Sequence, residues 1–76
     1  MQFYVIEIQN RTDGNNNQST TMRQKLSTGL QFFYERCAAN VQTQQYPSAT
    51  LMLIDSDGHV YENKHLTTSY AAPEGE

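Results

Sequence analysis

The stretch Ser48-Ala49-Thr50-Leu51-Met52-Leu53-Ile54-Asp55-Ser56-Asp57-Gly58-His59-Val60-Tyr61-Glu62-Asn63-Lys64-His65-Leu66 decides the fold. Its first part, through Ile54, is the most apolar segment of the chain and reads as a strand over 48–55. Asp55-Ser56-Asp57-Gly58 reads as a tight turn, with Gly58 suited to the positive φ that a bulged hairpin turn demands. The returning segment, a strand over 59–66, is more polar and should have one wet face. An antiparallel hairpin is the element everything else must pack on.

Working back towards the N-terminus, the spacing predicts a helix over 20–41. Met22, Leu26, Leu30, Phe33, Cys37 and Val41 recur every three or four residues, one apolar stripe at the helical period. Ser19, Thr20 or Thr21 can cap its first turn by accepting a backbone amide bond. Gly29 inside the stripe costs about 1 kcal/mol relative to alanine, a cost that a close approach to the sheet would explain. Pro47 forces Tyr46 out of helical geometry. Before the helix, the Asn-rich run around Asp13-Gly14 reads as a loop from Asn10 to Gln18.

The chain opens with Phe3-Tyr4-Val5-Ile6-Glu7-Ile8, aromatic and β-branched, a strand over 2–9. Tyr4, Ile6 and Ile8 point one way, and Phe3, Val5 and Glu7 the other. Residues 67–76 lose all periodicity and have the composition of a flexible acidic tail. The expected fold is therefore α+β, in the order β-α-β-β. One helix packs on a three-stranded mixed or antiparallel sheet over residues 1–66, with strand order 1-3-2 preferred to 1-2-3.

Composition narrows the function. The 76 residues suit one domain. A single cysteine excludes an internal disulfide, and two histidines without a second cysteine disfavour structural zinc. Five basic residues, none in a run, and a net charge of −3 argue against a nucleic-acid partner. No apolar stretch reaches the roughly 18 residues that span a bilayer, so no membrane is expected. The N-terminus lacks a basic region before its apolar residues, which makes a cytoplasmic location the simplest expectation.

No catalytic constellation stands out. Cys37 lies on the apolar stripe, where a free cysteine is usually a small core residue. His59 and His65 would stand roughly 20 Å apart on one strand, too far for one metal. Asp55-Ser56-Asp57-Gly58 fails as a calcium loop, since its glycine comes fourth and Leu66 occupies the twelfth position. The carboxylates Glu7, Asp55, Asp57 and Glu62 form no pair in an apolar context that would split their acidities. The expectation is no enzyme, no cofactor and no metal.

One inference exceeds the generic. A single helix covers one face of a sheet, yet the strand over 48–55 is apolar on both. Burial of such side chains is worth about 1.5–3 kcal/mol each. We expect Phe3, Val5, Met52, Ile54 and Val60 on the uncovered side, forming the interface of a homodimer. An edge strand could serve instead, another protein could be the partner, or the terminal segments could fold across that face.

The segments Phe3-Tyr4-Val5-Ile6-Glu7-Ile8-Gln9, Asp13-Gly14, Pro47-Ser48-Ala49-Thr50-Leu51-Met52 and Asp57-Gly58-His59 are similar to a set of short uncharacterised proteins of anaerobic gut bacteria and their prophages. The resemblance spans most of the chain before the tail. It implies a phage or mobile-element setting and transfers no site residues. With it comes the alternative function of an accessory protein that inhibits or mimics a host factor.

Overall fold

The hairpin of Ser48–Leu66 has a counterpart at the N-terminus. In the computed structural model, which describes residues 1–43 and 46–67, the order of elements is β1 (Phe3–Asn10), β2 (Asn16–Arg23), α1 (Leu26–Thr43), β3 (Ser48–Asp55) and β4 (Val60–Thr67). The four strands form one antiparallel sheet in the order β2-β1-β3-β4, and the fold class is α+β.

Two expectations are corrected together. The segment read as loop and first helical turn is a fourth strand, and the helix starts at Leu26 rather than residue 20. Asp13-Gly14 makes the turn: the Asn15 amide donates to Asp13 Oδ1 at 3.0 Å, Gly14 has φ of 90°, and the Arg11 amide donates to the Asn15 carbonyl. The chain thus reverses before the helix, β1 and β3 run antiparallel, and of the two expected arrangements the sheet is the antiparallel one. Residues Asn16–Arg23 then pair with β1 along its whole length, from Asn10↔Asn16 to Phe3↔Arg23. Asparagine is a poor strand former, but eight residues of ladder outweigh that local preference.

The preferred order 1-3-2 is also corrected. β1 lies beside β3, the most apolar strand, in the register Phe3↔Asp55 to Asn10↔Ser48, while β4 takes the edge. Placing the two apolar strands in the middle leaves the polar β2 and β4 outside, where water reaches them.

The helix covers one side. Val5, Ala49, Leu51, Leu53, Leu66 and Phe33 form the buried core, with Phe3, Leu26, Leu30, Phe32 and Cys37 packed around it. Gly29 explains how closely the helix approaches: a Cβ placed there would lie 3.2 Å from Leu53 Cδ1 and 3.6 Å from Phe3 Cβ. Met22, read as the head of the helical stripe, is on β2 instead, and Val41 at its other end is exposed. The tail expected over 67–76 lies outside the described residues except for Thr67, which ends β4. Among the described residues, no helix is long and apolar enough to cross a membrane.

The contact at Gly29 yields a test. Alanine gains about 1 kcal/mol of helix propensity, which offsets the tight contact with a flexible leucine tip, so Gly29→Ala should leave stability nearly unchanged. Gly29→Leu has no room and should lose about 1–3 kcal/mol in urea unfolding.

Candidate functional site

Strand alternation and register place sixteen residues on the side away from the helix, in four rows across the sheet. The first row is Met22, Tyr4, Ile54 and Val60. In the second, Thr20 and Asn63 flank Ile6 and Met52. Ile8 is the one large apolar residue of the third, with Gln18, Thr50 and His65. Asn16, Asn10, Ser48 and Thr67 make up the fourth. The face is a wedge, apolar at one end and polar at the other.

None of these sixteen residues is Asp, Glu, Lys or Arg. The described strands and helix put no second layer on this side. Val60 is 59% exposed and Met22 43%, while Tyr4, Ile6, Ile8, Met52 and Ile54 are half-buried by their neighbours within the sheet.

Of the residues expected here, Met52, Ile54 and Val60 lie on this face. Phe3 and Val5 do not, and that assignment is corrected. Val5 is 1% exposed in the core, and Phe3 sets its ring edge-on to Tyr61 at 5.8 Å on the helix side. The alternation in β1 was read correctly, but which set faces the helix was reversed. Glu7 could have misled any such choice, because it shares a side with Phe3 and Val5 and looks like a solvent-facing charge.

Glu7 is instead only 6% exposed. Arg36 grips it with Nε to Oε1 at 2.8 Å and Nη2 to Oε2 at 3.0 Å, while Asn40 and Gln9 donate to Oε2 at 2.8 and 2.9 Å. Burial pushes the Glu7 carboxyl pKa up, but the Arg36 and Asn40 hydrogen bonds and the Arg36 charge outweigh it and hold the group below its ordinary range. Both oxygens accept hydrogen bonds, three of the four from the helix, so the group is a charged tie between sheet and helix. The sequence signal was a lone charge inside an apolar strand; its partner, 29 residues away, was not visible.

A second buried carboxylate locks the β3–β4 turn. Asp55 Oδ1 accepts the amides of Asp57 at 2.8 Å and His59 at 3.0 Å. Its Oδ2 accepts the Tyr61 hydroxyl at 2.7 Å and faces His59 Nδ1 at 3.2 Å. A bulge between Leu53 and Ile54 in the β3–β4 register turns Tyr61 towards this group. The Tyr61 hydroxyl comes first among the causes that hold Asp55 down to about 2, followed by the opposing effect of burial and the His59 and Asp57 bonds. Asp55, Asp57 and His59 bring potential ligand atoms within 4.8 Å of one another. Both oxygens of Asp55 already accept bonds within the turn, so the cluster is accounted for as turn structure.

The remaining candidates have structural settings. Cys37 is half-buried against the core, and burial raises its thiol pKa, the opposite of nucleophile activation. His65 meets Thr50 Oγ1 at 3.0 Å on the open face, far from the turn that holds His59. Arg23 lies over the Phe32 ring at 4.6 Å, closing the helix against β2. Comparison with protein-family models, curated proteins and solved structures finds no match for this chain.

Both carboxylates predict a shared acid response. A carboxyl held lower in the folded state stabilises fully above its unfolded value and loses that contribution as pH falls towards the folded one. Stability should begin to fall below about pH 4.5 as Glu7 is protonated, with the Asp55 contribution disappearing between about 4 and about 2. Asp55→Asn should flatten the lower part of that decline in urea titrations run at each pH. Arg36→Met leaves a buried carboxylate short of its main donor and should cost about 1–3 kcal/mol. The double variant Glu7→Leu/Arg36→Met should lose less than Arg36→Met alone.

Proposed function

We propose that this chain is a small homodimeric interaction module without catalysis, working through the uncharged open face of its sheet. The observation that carries the reading is the composition of that face: sixteen positions, no formal charge, and seven large apolar side chains gathered towards one end.

Three considerations support it. The charges of the described strands and helix, including Glu7, Arg23, Arg36, Asp55, Glu62 and Lys64, all lie elsewhere, so two copies meet on this face without like-charge repulsion. A strongly charged partner would find nothing to pair with. The size also fits. Four strands about 4.8 Å apart and eight residues long at about 3.3 Å give a flat footprint of roughly 500 Å². Two such faces remove about 1,000 Å² or more, the level at which specific interfaces begin.

The absence of catalysis is inferred from how the polar groups are used. Glu7 and Asp55, the carboxylates most removed from water, are committed to structural bonds, and Cys37 is driven towards its neutral thiol.

Light scattering at micromolar concentration should give twice the 8.7 kDa chain mass. Ile6→Lys puts a charge at the centre of the face and should weaken association at least about a hundredfold, equivalent to about 2.7 kcal/mol. Its far-ultraviolet circular dichroism should stay that of the parent, because Ile6 is outside the helix-covered core. Gln31→Lys on the exposed helix surface should associate like the parent. A monomer throughout this range would refute the reading.

A further inference from the structure

We infer that the two copies pack face to face about a two-fold axis running along the strands, between β1 and β3. This rests on the homodimer reading above and specifies its geometry.

The inference follows from the wedge. A two-fold axis that brings two sheet faces together lies in the plane between them. If it runs along the strands, each row of one copy meets the same row of its partner. If it runs across them, full overlap sets the first row against the fourth.

The rows are unequal, and that decides the matter. An axis across the strands would press Met22, Tyr4, Ile54 and Val60 onto the Asn16, Asn10, Ser48 and Thr67 row. The apolar side chains would gain polar neighbours, and the amides and hydroxyls of the fourth row would exchange water for methyl and ring carbons. Sliding the copies to bring the apolar ends together would leave the third and fourth rows, half of the face, uncovered and halve the buried area. With the axis along the strands, the apolar rows meet across the full width of the sheet and the polar rows meet at the other end.

The strand order then fixes which residues face each other. Reversing β2-β1-β3-β4 about its midline lays β1 on the partner's β3 and β2 on the partner's β4. Tyr4 therefore opposes Ile54 of the partner subunit, and Ile6 opposes Met52 of the partner subunit. Met22 opposes Val60 of the partner subunit, and Gln18 opposes His65 of the partner subunit. The two central strands, which carry the most apolar residues of the face, cover each other. The natural twist of each sheet turns the two stacks by about 30°, which keeps the central Ile6–Met52 pairs nearly in place and offsets the corner pairs by about one strand spacing.

The test uses full chains in a Cys37→Ala background, carrying either Gln18→Cys or His65→Cys. Both sites lie on outer strands in the third row, away from the apolar end. Facing sheets lie about 10 Å apart, within reach of a short rigid bismaleimide. The inferred axis sets Gln18 over His65 of the partner subunit and separates the two Gln18 positions by three further strand spacings. Mixed chains should then give mainly the 18-to-65 product, and Gln18→Cys alone should give little. An axis across the strands brings the two Gln18 positions close and separates Gln18 from His65 of the partner subunit. Strong product from Gln18→Cys alone, with mixed chains adding none, would overturn the geometry while leaving the dimer in place. Light scattering on the same samples separates the failures, since a monomer overturns both the geometry and the homodimer reading.

Discussion

The pairing of β1 with β3 is the constraint on which the rest depends. It sets the two most apolar strands side by side at the centre of the sheet and joins two hairpins that are each local in sequence. Once Val5 stands opposite Leu53 and both are buried under Phe33, the alternation of the strands settles the other side. Tyr4, Ile6, Met52 and Ile54 must then share the face that the helix does not touch. One helix and a sheet apolar on both sides leave that surplus as a geometric necessity.

The same register explains why a charge is tolerated in the covered layer. Glu7 sits where an apolar residue would be expected, opposite Leu51 and Ser19. Arg36 and Asn40 come from successive turns of α1, on the side that faces β1, and so reach the carboxylate together. Removing a charge from water is costly unless its hydrogen bonds are replaced. Here they are replaced, and the tie fixes the helix along the sheet more specifically than leucine against leucine could. Asp55 plays the matching part at the far end of β3, where it holds the turn and the Tyr61 hydroxyl.

Much of this was legible in the residues themselves. The β3–β4 hairpin showed through its apolar run and Asp57-Gly58, and the helical stripe from Leu26 to Cys37 through its period. Strand β2 was not legible, because Asn16-Asn17-Gln18-Ser19 has neither apolar alternation nor strand propensity. It exists because β1 offers it a full ladder, which is a tertiary effect. The available clue was Asp13-Gly14, a hairpin-turn dipeptide read only as a loop. Missing that strand carried its own consequences: a sheet one strand short, a helix begun too early and the wrong neighbour for β1. The open face was anticipated, whereas the membership of Phe3 and Val5 was not, since alternation alone does not say which side a helix will choose.

The strand order also has a kinetic meaning. The β1–β2 and β3–β4 pairings span short turns, and hairpins of this kind form in about 1–10 μs. Joining β1 to β3 brings together residues that lie on opposite sides of the whole helix in sequence, from Asn10↔Ser48 to Phe3↔Asp55. Loop closure over such distances must precede the contacts that reward it. Of the three pairings in the sheet, the antiparallel β1–β3 seam therefore carries the largest loop-closure cost.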